Sequence, residues 1–152
     1  MTRWTTAALL TTLAVVGLTA CSDDDSPSSV ASKVASAASR AGEAVSSATA
    51  EAGRRFDDIS NGVDARDDVR LGTPATASDG RTTVEVTATN SAGSAKSFTV
   101  EVDFTDRNGK LLDVVVLTVS DVPAGGSGKG TARSTHDLSG EVRAKVPRAV
   151  RH

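Results

Sequence analysis

Residues 95–106, AKSFTVEVDFTD, alternate apolar and polar side chains without a break. Phe98, Val100, Val102 and Phe104 fall on one side, and Thr99, Glu101, Asp103 and Thr105 on the other. Successive side chains of an extended chain point to opposite faces, so this pattern predicts a strand half buried against a core; a helix would scatter the same residues around its axis. Residues 81–90, RTTVEVTATN, repeat the pattern with Val84, Val86 and Ala88 inward. Turn residues follow at hairpin intervals: Ser78-Asp79-Gly80, Asn90-Ser91-Ala92-Gly93, and Arg107-Asn108-Gly109, whose Asn-Gly pair supplies the positive φ of a tight turn. Residues 111–119, LLDVVVLTV, are apolar almost throughout and predict a strand covered on both faces. Pro123-Ala124-Gly125-Gly126 ends it, residues 129–134 and 141–146 supply further strands, and residues 69–77 lead in. Six or seven short strands at this spacing predict a mainly β domain over residues 69–152, an antiparallel two-sheet sandwich.

Composition limits what such a domain can grip. Tyr is absent, Trp occurs once at position 4, and Phe occurs only at positions 56, 98 and 104. Single-stranded nucleic acid is held by stacking on aromatic platforms, and sugar surfaces also rely on flat rings, so neither ligand class fits. Residues 22–68 carry ten acidic and five basic side chains, and residues 69–152 carry nine and eleven. A net charge of +2 on the domain is far too weak a field for a nucleic-acid partner.

The first twenty residues are of another kind. Arg3 stands in a short polar start, residues 7–18 (AALLTTLAVVGL) form an apolar run, and small residues follow. This is the outline of a secretory signal peptide over residues 1–20. It is too short to span a bilayer, which takes about 20 apolar residues. Leu18-Thr19-Ala20-Cys21 resembles the lipobox of bacterial lipoproteins, and Cys21 is the only cysteine of the chain. The resemblance implies cleavage before Cys21 and a covalent diacylglyceryl lipid on its sulfur. The thiolate is the nucleophilic side chain able to accept such a group, and two or three acyl chains hold a protein on a membrane where one does not. Asp23, Asp24 and Asp25 would keep the following chain out of the bilayer. The expected location is the extracytoplasmic face of a cell membrane, with the membrane itself as one partner.

Residues 26–59 are rich in Ala and Ser, with apolar residues at Val30, Val34, Ala37, Ala41, Val45, Ala48, Ala52, Phe56 and Ile59. Steps of three and four residues place these on one helical stripe. Ser26 and Pro27 suit its start, and Asn61-Gly62 its end. The stripe is mostly Ala, and Gly42 and Gly53 lower helix propensity further. A solvated spacer is the favoured expectation, ahead of self-association with another copy or association with a membrane, for which the polar face lacks the usual Lys and Arg. Residues 61–68 (NGVDARDD) read as a linker, so residues 21–68 form a lipidated stalk and linker.

Several motifs tempt a chemical reading. VPAGGSGKGT, residues 122–131, resembles a phosphate loop only superficially: Gly130 stands where Ser or Thr is needed, Pro123 where the first Gly is, and a strand follows instead of a helix. Ser134, His136 and Asp137 are the residue types of a hydrolytic triad, but sequence neighbours do not make a site. Asp57, Asp58, Asp64, Asp67 and Asp68 lack the alternating spacing of a calcium loop. Arg143, Lys145, Arg148 and Arg151 form a basic run able to touch an anionic lipid or wall polymer. None of these argues for catalysis, a metal or a cofactor other than the lipid on Cys21.

The stretch TVEVTATNSAGSAKSFTVEVDFTDRNGKLLD, followed by VSDVPAGGSGKGTARS, is similar to the FxLYD family and related immunoglobulin-like lipoprotein domains. Thr89-Asn90-Ser91, Phe104-Thr105-Asp106, Asn108-Gly109-Lys110 and the Pro123-Ala124-Gly125 turn carry the likeness; Thr105 departs from it, standing where an aromatic commonly precedes the Asp. The likeness implies an immunoglobulin-like β-sandwich outside the cytoplasm with no catalytic residues. The expected function is a lipid-anchored binding or interaction module, with another envelope protein as the partner. The alternative is a structural envelope lipoprotein whose stalk helix self-associates.

Overall fold

A computed structural model describes residues 27–152, with side chains from Ser39 onward except Ala41. Leu18, Thr19, Ala20, Cys21 and the leader lie outside the described residues. Helix α1 (Pro27–Asp57) comes first, and at 1.5 Å per residue its 31 residues extend about 46 Å. Strands follow as β1 (Val63–Asp64), β2 (Val69–Leu71), β3 (Ala75–Thr76), β4 (Thr82–Thr89), β5 (Lys96–Asp106), β6 (Leu111–Val122), β7 (Ser127–Arg133) and β8 (Val142–Arg151). All pairings are antiparallel. One sheet runs β1-β8-β5-β6; in the other, β4 pairs with β7 on one edge and with β2 and then β3 on the other.

The inward faces of both sheets meet in one core. Phe98, Val100, Val102 and Phe104 of β5 and Val84, Val86 and Ala88 of β4 are fully or almost fully buried, as the alternation predicts. Each buried Val or Phe stabilises the fold by about 1.5–3 kcal/mol. β7 comes unusually close to β6. A Cβ on Gly128 would lie 2.7 Å from Val119 Cγ1 and Val122 Cγ2, and one on Gly130 would lie 2.7 Å from Leu117 Cδ1. The glycines of SGKGT therefore serve sheet packing, and this segment is a strand.

Three features differ from the expectations above. Residues 61–68 are not a free linker: β1 pairs with β8, Ala65 is buried in the core and donates its N–H to Ala149 O at 3.0 Å, and Asp68 meets Arg151 at 3.3 Å. The stalk is not a solvated spacer along its whole length. The second half of α1 packs on β6, with Ala52 and Phe56 buried and Val45, Ala48 and Ile59 half-buried. Asn61, in the left-handed region at φ 62°, turns the chain after the helix.

β6 is covered on both faces, as its apolar run predicts, with Val119 and Val122 toward the core and Val114 beneath α1, although it is an edge strand with β5 as its one paired neighbour. The third difference concerns the polar face of β5. Thr99, Asp103 and Thr105 point away from the core, yet all three are buried, because β5 is flanked on both sides and long side chains from β8 lie across it.

β8 carries a further irregularity. Its register against β5 steps from Lys145 opposite Asp103 to Arg148 opposite Glu101, so that Val146 and Pro147 face Val102 alone. This bulge contains Pro147, which has no N–H to give to a ladder. It turns Arg148 onto the same face as Arg143 and Lys145, a placement that strict alternation from 142 would not produce.

Candidate functional site

A cleft opens where α1 leaves the sheet. About 360 Å³ lies between Gly42 and Val45 of the helix, Leu111 and Leu112 at the start of β6, and Leu138 in the loop from β7 to β8, with Lys110, His136 and Asp137 on the polar side. The loop is held there by Asp113. Its side chain is 1 % exposed and accepts hydrogen bonds from Val114 N (2.8 Å), Thr135 N (2.6 Å) and the Thr135 hydroxyl (3.0 Å). His136 Nδ1 lies 3.2 Å from the Thr135 hydroxyl and 3.8 Å from Asp113 Oδ2. With the hydroxyl proton spent on Asp113, the Thr135 oxygen accepts from Nδ1, which fixes the orientation of the ring.

These contacts dispose of the triad. The Ser134 hydroxyl is buried, accepts from Thr82 N at 3.0 Å and donates to His136 O at 2.7 Å, so it is committed to holding β4 against the loop. The Asp137 carboxyl group packs against Gly80 instead of meeting His136 Nδ1. The carboxylate that does sit behind the histidine is Asp113, some twenty residues away in sequence, and no reading of residues 134–137 alone exposes it.

The basic run of β8 is also engaged. Arg143 pairs with Glu141 at 3.2 Å, Lys145 with Asp103 at 3.4 Å and Arg151 with Asp68 at 3.3 Å, while the Arg148 guanidinium lies 4.3 Å from the centre of the Phe56 ring. The basic run thus spends much of its charge inside the chain. Among the acidic residues of 57–68, Asp64 accepts from the Arg66 guanidinium at 2.8 Å, and Arg66 holds its carboxyl below the ordinary aspartate range. No group of three or more His, Cys, Asp or Glu able to hold a metal occurs among the described residues. None of the described helices is long and apolar enough to cross a membrane.

Asn90, fully buried, donates through Nδ2 to Ser94 O and Val122 O, each at 2.8 Å, and accepts from Ala92 N at 2.9 Å. Its backbone pairs with Gly126 O and Gly125 N. One side chain therefore ties the β4–β5 turn to the β6–β7 turn at one end of the fold.

On the outer face of β5, burial raises the pKa of Glu101, the neighbouring Asp103 raises it further, and Arg148 opposes both. Burial likewise raises Asp103, against the pull of Lys145. Because the folded state holds the Glu101 proton more tightly than the unfolded chain, Glu101 contributes most favourably in acid, and that contribution is lost as pH rises through the raised value. Glu101→Gln is therefore expected to increase stability at pH 7, by less than about 1 kcal/mol given the partial exposure of the site. The gain should disappear below about pH 4, where Glu is protonated in both states. Thermal melts at pH 7 and pH 3.5 check this; a gain that persists in acid would contradict it.

No family model, no curated protein and no solved structure matches this chain.

Proposed function

We propose that this chain is a lipoprotein anchored through diacylglycerylated Cys21 to the extracytoplasmic face of a cell membrane, presenting an immunoglobulin-like β-sandwich of FxLYD type as a binding or interaction module. The observation that carries the anchor is Leu18-Thr19-Ala20-Cys21, which places the sole thiol directly after an apolar run and before three aspartates. The sandwich reading draws support from two facing antiparallel sheets around one core. The positions behind the family likeness support it too: Asn90 is a buried tie between turns, and Gly109 and Gly125 adopt positive φ at the turns assigned to them.

A binding role is favoured over catalysis because the triad-type residues of 134–137 are consumed by structural hydrogen bonds. Metabolic labelling with radioactive palmitate, followed by detergent phase partitioning, tests the anchor. The native protein is expected to take up label and enter the detergent phase, and Cys21→Ser to do neither. Unlabelled native protein in the aqueous phase would remove the proposal.

A further inference from the structure

We infer that α1 fixes which end of the module faces the lipid: the end carrying Leu111 and Leu138 lies toward the membrane, and the tip tied together by Asn90 is held away from it. This rests on the Cys21 anchor and deepens that reading by assigning the end that a soluble partner reaches.

The direction follows from where the helix crosses the sheet. Gly42 and Val45 stand beside Leu111, Leu112 and Leu138, and Ala48 and Ala52 stand beside Val114–Val116. Phe56 lies beneath Arg148, which sits across Glu101 from Val116. α1 therefore runs parallel to β6, and its N-terminal half leaves the sheet past Leu111, the first residue of that strand.

Pro27 to Ala41 continue the helix for fifteen residues, about 22 Å at 1.5 Å per residue. The docked half supplies the nucleus that an isolated helix lacks, so each earlier residue adds its hydrogen bond without that cost. Residues 21–26 span at most about 22 Å even when fully extended. The Cys21 sulfur is thus tethered on the Leu111 side, and about half of the path to it is a rod.

The two ends are joined by β5, whose eleven residues from Lys96 to Asp106 cover about 35 Å. On the anchored side lie the turn of residues 107–110 and the loop of residues 134–141. Their exposed charges are Arg107, Lys110, Asp137 and Glu141, two of each sign, so orientation there comes from the tether and not from a choice of lipid head group. At the far end the turns of residues 91–95 and 123–126 expose only small, uncharged side chains, and the buried Asn90 side chain bonds to Ser94 O and Val122 O to hold them together.

The test couples the ¹⁵N-labelled chain of residues 21–152 through Cys21, its only cysteine, to a maleimide lipid in phosphatidylcholine nanodiscs that also carry a gadolinium-chelating lipid. Paramagnetic broadening is expected to be several-fold greater at the amides of Asn108 and Gly140 than at those of Ser91 and Ala124. Ala35→Pro, which breaks the helix outside the docked half, should shrink that difference while leaving the spectrum of the sheets intact. Equal broadening at both ends, greater broadening at Ser91 and Ala124, or an unchanged difference in Ala35→Pro would overturn the assignment. The lipid is attached chemically here, so this outcome is independent of palmitate labelling, and failure of the native anchor and failure of the orientation are separable.

Discussion

Replacing Asn90 by Ala is expected to lower the unfolding free energy by about 2–3 kcal/mol, a large part of what a small domain possesses. The side chain is wholly inside and makes three hydrogen bonds to backbone groups of two separate turns. Truncation leaves Val122 O buried without that partner, at a cost of about 1–3 kcal/mol, while Ser94, exposed, and Ala92, half-buried, can turn to water and lose less. Asn90→Asp should be nearly as damaging, since it retains the acceptor for Ala92 N but loses both donors and buries a charge. Urea denaturation monitored by circular dichroism measures this. An Asn90→Ala loss below 1 kcal/mol would show that the two turns are held by their backbone bonds alone.

Replacing Phe56 by Ala is expected to release α1 from the sheet at a cost of about 3 kcal/mol, the lower end of the range for a buried Phe. The other helix residues facing the sheet are Val45, Ala48 and Ala52, and a cavity of about 180 Å³ remains between Ala48, Ala52 and Val114–Val116, so the Ala stripe gains little from packing. Phe56 is 3 % exposed and carries the Arg148 guanidinium on its ring, which makes it the main apolar attachment. An undocked helix of this composition is marginal in water, because propagation from a costly nucleus gains little from Ser and Gly. Amide hydrogen exchange should therefore lose protection across residues 42–57 while β4 and β5 keep theirs. Equal loss in helix and strands would mean that α1 belongs to the same cooperative unit as the core.

The two strands with clean alternation were legible because each faces core on one side, so residues two apart share one environment. Phe98 to Phe104 and Val84 to Ala88 are buried as that period requires. The turns at Gly80, Gly109 and Gly125 were legible because positive φ narrows the choice of residue. The helix was legible from its stripe, but its docking was not. An Ala-rich stripe is compatible with solvent, another helix or a sheet, and only the presence of Val114 and Arg148 beside it selects the last. The same limit applies to the cleft. His136 stood out in the sequence, but Asp113 behind it and Gly42 across from it come from distant strands and an unexpected neighbour.

What the order of residues settled alone was local: which segments extend, which coil, where the chain turns, and the apolar, single-cysteine start from which the anchor is proposed. These follow from side-chain period and from the backbone angles that Gly, Asn and Pro permit or forbid. Tertiary structure decided that β6 lies at an edge beneath a helix, that a bulge at Pro147 turns Arg148 onto the acidic face, and that Val63 and Asp64 add a strand to β8. Those outcomes depend on contacts between segments 50 to 90 residues apart, such as Asp68 with Arg151. Burial and charge pairing at such separations arise only when both partners are in place, so neither segment carries the answer by itself.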